Sequence, residues 1–437
     1  MGNIMILKNV ICPACGACCD DIRIDLDGNR TIVKNACKIG NARFQAIAGD
    51  HRIKDPMINV GGKLQKSAWN EALEKAAKIL ADSKRPLLFI GGETSCETMK
   101  AGLNLGEYLG AVVDSIATVC HGPSAMGMQE AGRIGATAGQ SKTRADLVVY
   151  WGSNPLELVP RHMSRYAVYP RGYWTGRGRF DRTVITVDPR KSITSENSDL
   201  HIPLMPNTDY ELLSALLTLI HGKRPHPSVE EITGVSISMM EKMLQMMKNC
   251  KYGVIYVGLG IASSYGKHRN VELAFNLVKE LNAYTKFVIS ILRGYCNAAG
   301  FSQTASYLYG YPFGLDFARG YPRYNPGEFT TVDLLRERDV DSALLISSNL
   351  DAYLPAVCVE YLAEIPLICI DSFHSSITLI SDVVLPGVFD SIECESTMYR
   401  FDDMPIYSKS IIASPFNFTE SNEHTLKQLF KKTKEIK

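Results

Sequence analysis

Cys120 and His121 stand side by side in Val119-Cys120-His121-Gly122-Pro123-Ser124, a turn reached through the largely apolar run Ala111 to Val119. A thiolate is a soft ligand for a late transition metal and also a nucleophile, and an imidazole beside it moves a proton near neutral pH. Gly122 and Pro123 bend the chain, so both side chains reach the tip of a βα connection. A cysteine in such a turn is as readily a packing residue. Its chemistry has to be argued from the rest of the chain.

A second donor set opens the sequence. Cys12-x2-Cys15-x3-Cys19, followed by Cys37, supplies four thiols. Between them Ile22, Ile24 and Leu26 alternate, Asp27-Gly28 signals a turn and Thr31-Ile32-Val33 returns, which predicts a hairpin that brings Cys37 back beside the other three. Zinc ribbons favour two separate Cys-x2-Cys pairs, and here Cys12-x2-Cys15 has no second pair that does not share a cysteine with it. The three-plus-one spacing favours a [4Fe–4S] cluster, with zinc or no metal as alternatives. Cys18 is a surplus thiol that can replace Cys19 only with tighter spacing. Lys38, next to Cys37, is either a cationic neighbour of the cluster or a solvated lysine.

Composition sets the frame for these sites. A 437-residue chain with 46% hydrophobic and 21% charged residues has room for two or three domains and a large core. A net charge of +1 gives no global field for nucleic acid or an anionic membrane. No apolar run approaches the ~20 residues that cross a bilayer. Met1 to Asn9 has no h-region and no twin arginine, so the expected location is the cytoplasm. Twelve cysteines, five of them within the first 37 residues, point to metal binding rather than disulfides.

The elements that position these groups read as an internal repeat. One copy starts at Pro86-Leu-Leu-Phe-Ile-Gly91-Gly92, the other at Gly253-Val-Ile-Tyr-Val-Gly258-Leu-Gly260. Each continues through a helix to a matched triplet, Leu109-Gly-Ala111 and Leu281-Asn-Ala283, and then to His121-Gly122 and Arg293-Gly294 at the same offset. Asp146 to Trp151-Gly152-Ser153-Asn154 pairs with Asp341 to Ile346-Ser347-Ser348-Asn349. Asp188-x10-Asp199-x3-Pro203 pairs with Asp371-x10-Asp382-x3-Pro386. Strands alternating with helices imply parallel α/β units, whose ligands sit beyond the carboxyl ends of the strands. Gly91, Gly92, Gly152, Ser153, Asn154, Gly258, Gly260, Ser348 and Asn349 are strand-end turn residues, and Asp188 and Asp371 can take nucleotide hydroxyls or ring N–H groups. The set is expected to form two related nucleotide-like sites, with Cys120, His121 and Arg293 converging on one centre.

Other stretches carry weaker signals. Asp55 to Lys84 reads as a linker and an amphipathic helix. Arg161 to Arg182 holds six arginines among aromatics and glycines, and is expected to face a cofactor pyrophosphate or a partner. Tyr307 to Gly327 reads as a long ordered loop. Cys296, three residues beyond Arg293, is expected to be a bystander near the pocket.

On these residues the chain resembles the molybdopterin oxidoreductases of the formate dehydrogenase type: the Cys12-x2-Cys15-x3-Cys19 run, the Cys120-His121-Gly122-Pro123-Ser124 turn and the tandem nucleotide units. Within that family it is more similar to the catalytic B-type chains of archaeal formylmethanofuran dehydrogenases. The likeness rests on Cys15-Gly-Ala-Cys18-Cys19-Asp-Asp-Ile22, Asn35-Ala-Cys37-Lys-Ile-Gly40, Pro170-Arg-Gly-Tyr173, Val187-Asp-Pro-Arg190 and Arg319-Gly-Tyr-Pro-Arg-Tyr-Asn-Pro-Gly-Glu328. The resemblance implies a bis(molybdopterin guanine dinucleotide) centre with Mo or W. Cys120 would ligate the metal, His121 and Arg293 would flank the open site, and Cys12, Cys15, Cys19 and Cys37 would hold a [4Fe–4S] cluster. It also implies Arg190, Thr397 and Arg400 as cofactor contacts, although Ser396 and Met398 stand where Gly and Ala are expected.

The implied reaction is reversible two-electron reduction of CO2 to formate. The implied fold is α/β: an iron–sulfur module at residues 1–54 and two pseudo-symmetric doubly wound units. One unit is expected from residues 55–140 with 331–437, the other from residues 141–330, without the small C-terminal β-barrel of larger relatives. The chain has no His-x-His pair, so condensation of formate with methanofuran would need another subunit. The expected partners are an amidohydrolase-type subunit, a β-barrel subunit closing over the pterin and ferredoxin-type subunits, with no nucleic acid and no membrane. A stand-alone formate dehydrogenase and a non-catalytic structural relative are the competing readings; the second is expected to lose its cysteines, which this chain keeps.

Overall fold

The computed structural model describes residues 5–27 and 30–437. Gly28 of the expected Asp27-Gly28 turn, and the first four residues of the Met1 to Asn9 stretch, lie outside them. Two compact units divide the chain. The larger comprises Met1–Val119, Tyr295–Arg400 and Pro405–Lys437, the smaller Cys120–Gly294 and Phe401–Met404.

In the larger unit, the strands Met5–Val10, Ile22–Asp27 and Arg30–Lys34 form an antiparallel sheet, with Ile24 opposite Val33. The expected hairpin is present, and Ile22 and Ile24 bury the inward face. The helix Lys38–Gln45 follows, with Cys37 as its N-cap.

Among the described residues the main sheet of the larger unit has nine strands. Its parallel centre runs in the order Val112–Ser115, Pro86–Ile90, Ser342–Ile346, Leu367–Asp371, Val383–Pro386. The smaller unit has one five-stranded parallel sheet: Lys286–Ile291, Tyr252–Val257, Leu147–Trp151, Thr183–Val187, Leu200–Ile202. The two orders match strand for strand in the pairs that the repeat predicts. Each sheet is nonetheless assembled from halves of both copies. Pro86 pairs with Ser342 in one, and Leu147 with Gly253 in the other. The central strands Pro86–Ile90, Ser342–Ile346, Leu367–Asp371, Tyr252–Val257 and Leu147–Trp151 are buried along their whole length because both faces are covered.

Unit boundaries differ from those expected. The smaller unit begins at Cys120 rather than 141, because the helix Gly122–Ala131 packs on His268–Leu281. It ends at Gly294 rather than 330, because the helix Ala298–Tyr309 packs on Cys96–Leu109 and the strand Leu315–Asp316 pairs with Val112–Ser115. Tyr307 to Gly327 is therefore part helix and part sheet edge, not a single loop. The expected linker after Asp55 forms the hairpin Met57–Val60 and Lys63–Lys66, which extends the other edge. Trp69–Asp82 follows as a helix burying Ala72, Leu73, Ala76 and Leu80. No helix among the described residues is long and apolar enough to cross a membrane.

Candidate functional site

Cys12, Cys15 and Cys19 are buried and Cys37 is half-buried. The backbone N–H of Cys12 donates to the Cys19 carbonyl at 2.8 Å, closing the loop that carries the first three thiols. Burial, and the closeness of the Cys12, Cys15, Cys19 and Cys37 sulfurs to one another, push the Cys12 and Cys15 thiols up. A Cβ on Gly40 would lie 2.9 Å from the Cys12 Sγ and 3.9 Å from the Cys37 Sγ, so the two sulfurs flank one point that only glycine leaves free. Cys18 is engaged elsewhere: its thiol donates to the carbonyl of Cys296 at 3.3 Å and to that of Cys15 at 3.6 Å. Among the described residues no three His, Cys, Asp or Glu side chains are arranged to hold a single metal ion. An iron–sulfur cluster asks for something different, one thiolate for each of four irons, and the soft donor set fits it. A buried group of thiols favours neutral ligands until such a cationic centre is present.

Lys38 is exposed at the helix N-terminus. Arg43, further along the same helix, is the cation that turns inward. Its side chain is 17% exposed and pairs with Glu93 at 2.8 Å, in the wall of a cavity in the larger unit.

That cavity, of about 250 Å³, is lined by Gly91, Gly92, Ser348, Asn349 and Asp371. A related cavity of about 600 Å³ in the smaller unit is lined by Gly152, Ser153, Asn154, Asp188, Arg190, Gly258 and Gly260. Each lies beyond the carboxyl ends of its own parallel strands, where open α/β sheets bind ligands. The turn glycines make these floors by close approach. A Cβ on Gly91 would stand 1.9 Å from the Ser347 carbonyl oxygen, and one on Gly258 2.2 Å from that of Gly152. Ser153 Oγ is buried in its cavity with no hydrogen-bond partner among the described residues, an unmet polar group of the kind a ligand satisfies. Asp188 Oδ1 accepts the backbone N–H of Arg190 at 2.9 Å. Asp371 Oδ1 accepts those of Ser372 and Phe373 at 2.6 and 3.1 Å. Burial pushes Asp371 up to about 6, against those backbone N–H groups.

Cys120, His121 and Arg293 come together within the smaller unit. Burial pushes the Cys120 thiol up to about 11, while the Arg293 charge works to lower it. Burial and Arg293 together push His121 down to about 3, against a hydrogen bond to the Leu292 backbone. The His121 Nδ1 also bonds Ser124 Oγ at 2.9 Å. The imidazole is thus tied both to its own helix and to the residue before Arg293. A Cβ on Gly294, the next residue, would touch Leu158 Cδ1 at 3.0 Å, and Leu158 lines the 600 Å³ cavity.

Arg293 Nη1 donates to Asp403 Oδ1 at 3.1 Å, and Arg133 Nη1 to Asp403 Oδ2. Burial works to raise the Asp403 pKa, but the two guanidinium groups outweigh it and hold the carboxyl below its usual range. Neither Asp403 nor Arg133 stood out in the sequence. The only local signal was the acidic pair Asp402-Asp403 after Arg400.

The remaining expected contacts are placed otherwise. Thr397 and Arg400 line neither cavity, and the Thr397 N–H donates to Glu97 Oε2 at 3.0 Å. Among the described residues the strand Ser396–Tyr399 pairs only with Pro405–Ser408, so Thr397 and Arg400 leave the sheet ends where the cavities form. Cys296 is fully buried, and its thiol donates to the Gly92 carbonyl at 3.6 Å, behind a cavity residue.

The molybdopterin oxidoreductase family model matches residues 52–418. The B chain of the tungsten-containing formylmethanofuran dehydrogenase 2 of Methanocaldococcus jannaschii is 39% identical over 436 residues, spanning 99% of this chain and all of that protein. Two solved structures share the fold. Acetylene hydratase from Pelobacter acetylenicus has a TM-score of 0.73 at 14% identity, covering 98% of this chain and 69% of that one. A chain of the formyltransferase/hydrolase complex FhcABCD from Methylorubrum extorquens has a TM-score of 0.70 at 18% identity, covering 87% of this chain and 99% of that one.

Proposed function

Because the chain belongs to the molybdopterin oxidoreductase family, among its formylmethanofuran dehydrogenase B-type members, we propose that it reduces CO2 to formate as the catalytic subunit of a multisubunit complex. CO2 takes up two electrons and one proton to give formate. The observation that carries the reading is the meeting of Cys120 with Arg293: a buried soft thiol next to a permanent cation that can hold a carboxylate.

In this reading Cys120 ligates Mo or W. Ser153, Asp188 and Arg190 hold one guanine dinucleotide, and Ser348, Asn349 and Asp371 hold the other, one at each cavity. Cys12, Cys15, Cys19 and Cys37 hold a [4Fe–4S] cluster. When bound, the pterin metal supplies the two-electron redox change. The chain's own residues supply the setting. Arg293 orients the carboxylate oxygens by its planar fork. His121, bonded to Ser124 and the Leu292 backbone, keeps the cysteine turn in register with the Arg293 strand end, and passes a proton only by exchanging one of these bonds. Its role is thus more that of a positioning group than of the free acid–base expected from its type.

Formate then passes to an amidohydrolase-type subunit for condensation with methanofuran. A β-barrel subunit closes over the pterin, and ferredoxin-type subunits deliver electrons.

The test is metal and nucleotide content of the anaerobically purified complex, with CO2 reduction and formate oxidation followed through a viologen dye. About four irons per chain and roughly two guanine nucleotides per Mo or W are expected, together with turnover in both directions. Zinc alone, without pterin, would overturn the reading.

A further inference from the structure

We propose that Asp403 is the positioning residue of Arg293, and that the charge balance it leaves selects a monoanionic carboxylate. This rests on the reading that Arg293 faces the substrate.

Asp403 divides its two oxygens between two cations. Oδ1 takes Arg293 and Oδ2 takes Arg133. The side chains are 5%, 10% and 18% exposed for Arg293, Asp403 and Arg133. An arginine has four rotatable torsions, and a fixed carboxylate on one nitrogen removes most of that freedom at the point where the fork must be aimed. Arg293 makes no other side-chain hydrogen bond among the described residues, so Nε and Nη2 stay free to donate.

Asp403 itself is held on both sides. It belongs to Phe401–Met404, the only part of the chain after Gly294 that lies in the smaller unit. Phe401 is 1% exposed. Its ring stands 4.9 Å from that of His162, 5.7 Å from Tyr166 and 6.2 Å from Tyr256. Asp402 Oδ2 accepts the Ala138 N–H at 2.5 Å. The backbone at Asp403 has φ +60°, a left-handed conformation that Asp and Asn tolerate and most residues do not. Strain of this kind persists where the surroundings over-determine it, often at functional sites.

Counted over these three side chains, two guanidinium groups and one carboxylate leave a surplus of one positive charge in a nearly buried place. Such a charge is costly unless a partner arrives. One carboxylate of single negative charge completes it; a neutral molecule leaves it unmet, and a dianion overshoots.

Asp403→Asn isolates the charge, since asparagine keeps the size and tolerates the same φ. In the purified complex, kcat for formate oxidation is expected to fall about 100-fold, the scale of a small misplacement of a catalytic group, with iron and Mo or W content unchanged when assayed below the thermal midpoint, which the two stranded guanidinium groups lower. Phenylglyoxal labelling of Arg293, mapped by mass spectrometry, is expected to become several-fold faster as the side chain is released. Arg133→Met, which removes the surplus charge but keeps the Asp403–Arg293 pair, is expected to raise KM for formate with kcat near wild type. Unchanged kinetics and labelling in Asp403→Asn would overturn the proposal. So would activity lost in step with metal content, which would mark Asp403 as a clamp of the fold. An unmoved KM in Arg133→Met would overturn the charge selection. If the wild-type complex does not turn over formate, the proposed function fails, while the labelling comparison still decides whether Asp403 holds Arg293.

Discussion

Asp188 and Asp371 end equivalent strands and close the same turn. Each presents Oδ1 to the backbone N–H two residues on, Arg190 in one case and Phe373 in the other. Among the described residues neither Oδ2 accepts a hydrogen bond, which leaves one oxygen of each carboxylate for a ligand's N–H or hydroxyl groups. If each cavity holds one guanine nucleotide, Asp188→Ala and Asp371→Ala should each lower the nucleotide content of the purified complex by about half, read by release and chromatography. A variant that keeps its full content would detach that aspartate from nucleotide binding.

Cys18 and Cys19 are adjacent, yet they differ in what they face. Both lie near Cys12 and Cys15, but the Cys18 thiol is spent on the Cys15 and Cys296 carbonyls and is closest in effect to Cys296, whereas Cys12 and Cys15 feel Cys19 together with Cys37. Cys19→Ser should lose the cluster and Cys18→Ser should keep it, with iron analysis and the EPR signal of the reduced complex as the readouts. The reverse result would make Cys18 the ligand.

Arg52 and Glu393 form a buried ion pair at 2.7 Å, with side chains 2% and 1% exposed. The guanidinium also lies over the Phe389 ring, 4.3 Å from its centre. Removing one partner strands the other charge. Glu393→Gln is expected to cost about 3–5 kcal/mol in denaturant unfolding, and the double replacement by methionine should recover much of the loss. A single variant as stable as wild type would show that water reaches the pair.

Asp390 is buried and pushed up to about 6 by burial, against hydrogen bonds from the Ser95 backbone, Cys394 and Asn422. With the folded pKa above the unfolded one, the folded chain holds this proton more tightly. The contribution is therefore complete below the ordinary carboxylate pKa and is lost as pH rises through about 6. It amounts to about 3 kcal/mol in order of magnitude. Thermal midpoints measured from pH 5 to pH 7.5 should fall less steeply in Asp390→Asn than in wild type, with Asp371 supplying a residual slope of the same sign. Equal slopes would mean that Asp390 is ionised in the fold throughout.

Much of this architecture was legible in the chain because it is local or repetitive. Cysteine spacing, period-two alternation in Ile22, Ile24 and Leu26, apolar runs ending in Gly, Asn or Asp, and the matched offsets after Asp188 and Asp371 all report short-range geometry. They led to the parallel strands, the two cavities and the meeting of Cys120, His121 and Arg293. Tertiary structure alone decided the rest. Which half-repeats share a sheet set the boundaries at Cys120 and Gly294, since parallel pairing joins strands far apart in sequence. The register of one helix turned Arg43 inward and left Lys38 in solvent. The return of Phe401–Met404 to the smaller unit put Asp403 on Arg293, 110 residues away in sequence. No spacing rule reaches across such a gap, because only the packing of Phe401 and the paired charges bring the two side chains together.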